Sequence, residues 1–128
     1  MSIKIDVSFG ELLDKLTILE IKFERIDDEK KIANIKRELE VLTNTWITSG
    51  VDVASVDNER IELKHINESL WDIEDAIRRQ EAANSFGTEF VSLARNVYKT
   101  NDKRSEVKRL VNEKLGSTLI EEKSYQPY

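Results

Sequence analysis

The sequence predicts an all-α domain of four main helices arranged as two antiparallel hairpins, with room for a minor two-stranded pairing of the termini. Three observations lead there. Apolar residues recur at steps of three and four along four separate stretches. One Pro and four Gly leave too few breakers for a strand-and-turn architecture. The absence of Cys removes disulfide frameworks, thiolate metal sites and cysteine nucleophiles. At 128 residues the chain suits a single domain spanning 1–128.

The elements follow in order. Ile3, Ile5 and Val7 alternate with polar residues, the period of a short strand. Ser8 then reads as an N-cap, with Glu11 as the return half of a capping box. Leu12, Leu16, Leu19, Phe23 and Ile26 form the seam of a first helix, while Ile18 and Ile21 point nearly the other way. A helix apolar on two sides is central in a bundle or lies at a subunit interface, which favours a homodimer over a monomer. The seam slips at Asp27-Asp28 and resumes as Ile32, Ile35, Leu39, Leu42 and Trp46, one residue out of phase. Either a capped second helix starts there or one long helix unwinds locally; a break with a tight turn is the favoured reading.

Thr48 to Val56 reads as a loop, and Asp57 as the cap of a third helix from about Asn58 to Ala83. Its seam is Leu63, Ile66, Leu70, Ile73 and Ile77. Ser85 is the expected cap of a fourth helix that runs to Gly116, a suitable C′ glycine. Phe86, Phe90, Leu93, Val97, Val111 and Leu115 share one face of that helix. The same count places Asn101, Arg104 and Lys108 on it too. Charge on an apolar stripe is expensive to desolvate and needs a partner or a ligand. A helix break at Thr100-Asn101-Asp102, all good caps, would instead rotate these residues away.

Net charge is −5, which argues against whole-protein attraction to nucleic acid or anionic membranes. The charge is uneven: from Arg95 to Lys114, seven Lys or Arg stand against three Asp or Glu. Basic residues around Tyr98 could form a nucleic-acid face, but Asp102, Glu106 and Glu113 interrupt it. No leader-like or membrane-length apolar run is present, so the expected setting is the cytoplasm, with neither nucleic acid nor membrane as partner.

The third helix carries a polar line of its own. Asn67, Trp71, Glu74 and Arg78 step along the edge of the apolar seam, and Glu74–Arg78 and Asp75–Arg79 are favourable i,i+4 pairs. This line suits a ligand or partner anchored on the indole; equally it suits a boundary Trp with a solvated ion-pair rim. Glu74, Asp75 or Glu81 are the expected partners of Arg104 and Lys108 across a helix interface. A second chemistry rests on Glu20, Glu74 and Asp75. Paired helical carboxylates hold magnesium in all-α nucleotide pyrophosphohydrolases, and Glu59-Arg60-Ile61-Glu62 with Asp72 and Asp75 loosely echoes them. His65, the single histidine, has no second His or Cys to join it at a zinc ion.

Longer motifs run through Asp14-Lys15-Leu16-Thr17-Ile18-Leu19-Glu20-Ile21-Lys22 and Leu70-Trp71-Asp72-Ile73-Glu74-Asp75-Ala76-Ile77-Arg78. They continue at Phe86-Gly87, Leu93-Ala94-Arg95, Val97-Tyr98, Asn101-Asp102 and Arg104, ending at Glu121-Glu122-Lys123-Ser124-Tyr125. On these residues the chain resembles a family of small uncharacterised bacterial and phage proteins, classed as a domain of unknown function. The resemblance implies no activity. It does imply a family pattern that includes Lys15, Glu20, Trp71, Asp72, Glu74, Asp75, Arg78, Asn101, Asp102, Arg104, Glu122 and Lys123, and a C-terminal tail docked on the body.

The leading expectation is a non-enzymatic helical interaction or adaptor protein that needs no cofactor, with the Trp71 and Arg104 region as its polar anchor. The rival is a small magnesium-dependent hydrolase or transferase acting on a nucleotide or sugar-phosphate.

Overall fold

The computed structural model describes residues 1–128. Its helices are α1 (Phe9–Arg25), α2 (Glu29–Ile47), α3 (Asp57–Ala82) and α4 (Thr88–Leu115), with a 3-10 turn at Val53–Val56. The all-α prediction holds, and no strand forms. Ile3, Ile5 and Val7 are exposed in an extended lead-in to α1, and Leu119 and Ile120 are exposed in the tail. The pairing of the termini is therefore corrected: the Ile3, Ile5 and Val7 alternation and the Leu119-Ile120 pair bury too little surface to order a two-stranded ribbon.

Local chemistry sets the helix ends. Ser8 Oγ accepts a hydrogen bond from the Glu11 N–H at 3.1 Å, as the capping motif predicts. The return half of the box does not form, because the Glu11 carboxylate accepts from Lys108. The seam slip is a genuine break. Ile26 turns extended, and Asp28 caps α2 by accepting from the Lys31 N–H at 2.9 Å.

Two expected caps are displaced. Asp57 is the first residue of α3, not its cap, because the 3-10 turn already feeds the chain into the helix at Val56. Ser85 serves the end of α3, its N–H donating to the Gln80 carbonyl at 2.9 Å, behind Asn84 in the left-handed conformation (φ 51). Gly87 stands at the N-cap of α4 instead. Gly116, at φ 66, closes that helix as its sequence position suggests. Between the two ends α4 is continuous through Thr100, Asn101 and Asp102, so Arg104 and Lys108 do share a face with Val111.

α1 is the hub, touching α2, α3 and α4. This accounts for its two apolar sides within one chain. Leu12, Leu16 and Leu19 are buried on one, and Ile21 is buried on the other. The core joins Leu12, Leu13 and Leu16 of α1 to Trp46 of α2, Leu63 of α3 and Val107 and Val111 of α4, with Val56 beneath. α1 and α4 run antiparallel and very close. The Gly10 N–H donates to Asn112 Oδ1 at 2.6 Å, and a Cβ at Gly10 would stand 2.3 Å from the Lys108 carbonyl oxygen. Only a residue without a side chain fits there.

The core lies at one end of the bundle. From Glu68 to Glu106 no residue is fully buried, although the apolar seams continue through Ile73, Ile77, Phe90 and Leu93. α1 ends at Arg25, whose guanidinium reaches Asp72 at 2.7 Å. Beyond that point α3 and α4 project as a two-helix arm with no third helix over it. No helix is long and apolar enough to cross a membrane.

Candidate functional site

At the base of this arm, α1, α3 and α4 enclose a cleft of about 560 Å³. Its floor is apolar, from Ile18 and Ile21 of α1, Leu70 of α3 and Val97 of α4. Its walls are Asn67, Trp71, Glu74, Asp75 and Arg78 of α3, with Asn101 and Arg104 of α4. Seven of the eight residues singled out in the sequence as binding candidates therefore line one cleft. The eighth, Lys108, lies one turn further on. It lines a polar cavity of about 350 Å³ with Glu11, Ser105, Glu121 and Lys123, and the two spaces share Asn101 and Arg104.

The charges at the back of the cleft meet a residue that sequence reasoning missed. Asp14, 1% exposed, accepts from Arg104 Nε at 2.9 Å and Nη2 at 2.5 Å, and from Asn67 Nδ2 at 2.9 Å. Asn67 also donates to Thr17 Oγ1 at 2.9 Å, and that hydroxyl donates to the Asp14 carbonyl at 2.8 Å. Lys108 Nζ sits 2.7 Å from Glu11, 3.8 Å from Asp14 and 3.2 Å from Glu121. The expected partners Glu74, Asp75 and Glu81 are thus replaced by Glu11, Asp14 and Glu121. The reason is geometric: antiparallel pairing of α1 with α4 sets Glu11 against Lys108 and Asp14 against Arg104, one turn apart on both helices.

A buried carboxylate is tolerated only when such donors satisfy it. Its fork-shaped bond to Arg104 fixes the guanidinium plane and raises the Arg104 pKa further above its ordinary value. Burial works to lower the Lys108 pKa, but the hydrogen bond to Glu11 and the charge of Asp14 outweigh it, for a net rise.

The rest of the cleft is less constrained. Glu74 pairs with Arg78 at 3.0 Å, an exposed i,i+4 contact. Arg25 lies over the Trp71 ring at 5.9 Å, holding the indole against the end of α1. The Asn101 backbone carbonyl accepts from Ser105 Oγ at 3.1 Å, and Asn101 lines the cleft together with Arg104.

The carboxylates of the magnesium reading are dispersed. Glu20 is paired with Arg60 and Glu59 with Lys114, while Asp72 meets Arg25. No group of three or more His, Cys, Asp or Glu stands close enough to hold a metal ion, so Glu20, Glu74 and Asp75 are not gathered into one.

With this geometry in place, comparison with known proteins adds one finding. Residues 3–128 match a family of unknown function (DUF6165). The chain belongs to that family. The match covers both walls of the cleft, the α1 hub and the C-terminal tail. No curated protein and no solved structure matches the chain.

Sequence spacing did carry a signal for Asp14. Gly10, Asp14, Thr17 and Ile21 step by four, three and four along the second face of α1, and all four are buried. A small residue and two polar ones on an apolar face mark a close helix approach with a built-in hydrogen-bonding network.

Proposed function

We propose that this protein is a non-enzymatic interaction module whose cleft between α1, α3 and α4 grips a segment of another protein. One observation carries the reading: the cleft opens onto an arm whose apolar seams have no third helix to cover them. Helices whose seams are only half buried gain stability by burying the remainder against a partner. The cleft also has the make-up of a recognition surface, with an aliphatic floor, an indole, two amides and paired charges. Its partner would insert an apolar side chain over Ile18, Ile21, Leu70 and Val97. The main-chain polar groups flanking that side chain would meet Asn101, Trp71 and Arg104. Arg104 is the fixed element, because Asp14 holds its Nε and Nη2.

The dispersal of Glu20, Glu74 and Asp75 favours this reading over the magnesium-dependent alternative. A photo-crosslinking residue at Asp75, inside the cleft, tests it against the same residue at Lys36, on the exposed side of α2. The expected result is a discrete protein adduct from position 75 and none from position 36. Equal adducts from both positions, or none from position 75, would refute the proposal.

A further inference from the structure

The C-terminal segment makes a second surface along α4. Every residue from Thr118 to Tyr128 is exposed. After the Ser117 N–H donates to the Asn112 carbonyl at 2.8 Å, the segment makes no backbone–backbone hydrogen bond. Side chains alone hold it. Glu121 meets Lys108 at 3.2 Å and Glu122 meets Arg109 at 3.1 Å. The Tyr128 hydroxyl donates to Asp102, and its ring stands edge-on to Tyr98 at 5.2 Å. A cavity of about 880 Å³ lies between segment and helix, lined on the helix side by Tyr98, Asn101 and Arg104.

We propose that the groove of Tyr98, Arg104, Lys108 and Arg109 is a binding surface for an acidic, tyrosine-bearing linear segment of another protein, and that residues 117–128 cover it reversibly in cis. The tail displays the ligand chemistry directly, with two adjacent carboxylates on two cations and an aromatic ring on an aromatic ring. Lys108 is preorganised for the task. Its side chain is 12% exposed, with Glu11 and Asp14 holding the ammonium from behind while it reaches Glu121. The Glu121 carboxyl is held below its ordinary range, first by the Lys108 hydrogen bond and then by that residue's charge. The segment of α4 that supplies these cations, Arg95 to Lys114, carries seven Lys or Arg against three Asp or Glu in an otherwise acidic chain. Exposed ion pairs are individually weak, so the docked tail exchanges readily with a stronger competitor. Gly116, left-handed at φ 66, is the natural hinge for release. The surface adjoins the Trp71 cleft through Asn101 and Arg104, but neither Lys108 nor Arg109 lines that cleft, so substitutions at these two cations and at the tail test the groove apart from it.

The test uses the full chain and a fluorescent peptide of residues 117–128, followed by anisotropy at low salt. The parent protein should bind the peptide weakly, because its own tail competes. Glu121→Gln with Glu122→Gln in the protein removes two exposed ion pairs and should tighten peptide binding about tenfold. Arg109→Gln added to that protein should reduce the gain, and Lys108→Gln with it should abolish it; circular dichroism verifies that each variant is folded. No gain in the Gln variant, or a gain that survives loss of both cations, would overturn the proposal. So would a parent dimer that dissociates on Glu121→Gln and Glu122→Gln, since the occupant would then be a second copy of this chain.

Discussion

Replacing Asp14 by Asn probes the network that positions the cleft. The carboxylate is 1% exposed and accepts from three side-chain N–H groups, with Lys108 a further 3.8 Å away. Asparagine keeps one acceptor oxygen and turns an NH₂ toward groups that are already donors. Breaking one partner of a buried pair costs about 3–5 kcal/mol. The Arg104 side chain is 29% exposed, so water recovers part of that loss and the low end applies, about 3 kcal/mol. In a domain of this size that corresponds to a melting decrease of roughly 10 °C.

Urea denaturation followed by helical circular dichroism would measure it, and Asp14→Leu, Arg104→Met and the double variant Asp14→Leu/Arg104→Met form a cycle. The double variant should lie closer to the parent than either single one. Two apolar groups leave no orphaned charge, and the coupling should reach about 2 kcal/mol. An Asp14→Asn protein within about 0.5 kcal/mol of the parent, or a cycle without coupling, would show that Asp14 does not hold Arg104 in place.

Other expectations follow from the same contacts. Gly10→Ala forces α1 and α4 apart by about 1 Å, since its Cβ would meet the Lys108 carbonyl oxygen at 2.3 Å. Overpacking of this kind costs about 1–3 kcal/mol, and the better helix propensity of Ala offsets at most about 1; thermal denaturation should show a lower melting temperature. Glu59 is held below its ordinary carboxyl range, first by the Lys114 hydrogen bond, against the opposing effect of burial. A depressed folded-state pKa gives stability that is present above the unfolded value near 4.5 and disappears as pH falls through the folded value. Glu59→Gln should therefore destabilise at pH 7 and flatten the loss of stability below pH 4.5 in urea titrations, whereas an unchanged acid limb would exclude Glu59 from it.

The fold was legible to the extent that local chemistry dictates it. Ser8 and Asp28 cap helices because their side-chain oxygens satisfy orphan N–H groups three residues on, and nothing distant alters that. Ser85 and Asp57 look equivalent in sequence, yet the preceding backbone decides whether such a residue opens a helix or closes the one before. Seven site residues fell on one cleft because two of them, Arg104 and Trp71, sit at the edges of seams that must face each other in a hairpin. The partner of Arg104 could not be found the same way. Helical periodicity shows which face a charge occupies but not which helix lies over it, and here α1, not α3, supplies the carboxylate. The spacing Gly10, Asp14, Thr17 and Ile21 held the answer only once α1 was known to pack antiparallel to α4.

The central claim is that Asp14 and Arg104 hold the cleft while Asn101 serves the partner. Stability and partner capture should therefore separate at Asn101. Asn101 lines the cleft, its side chain takes no part in the Asp14 network, and alanine is the better helix former. The decisive measurement is Asn101→Ala in the protein that carries the crosslinking residue at Asp75, with adduct yield and melting temperature read on the same preparation. The account predicts a melting temperature equal to or above that of the parent and an adduct yield reduced severalfold. An undiminished adduct, or a loss of yield that merely follows a loss of stability, would contradict it.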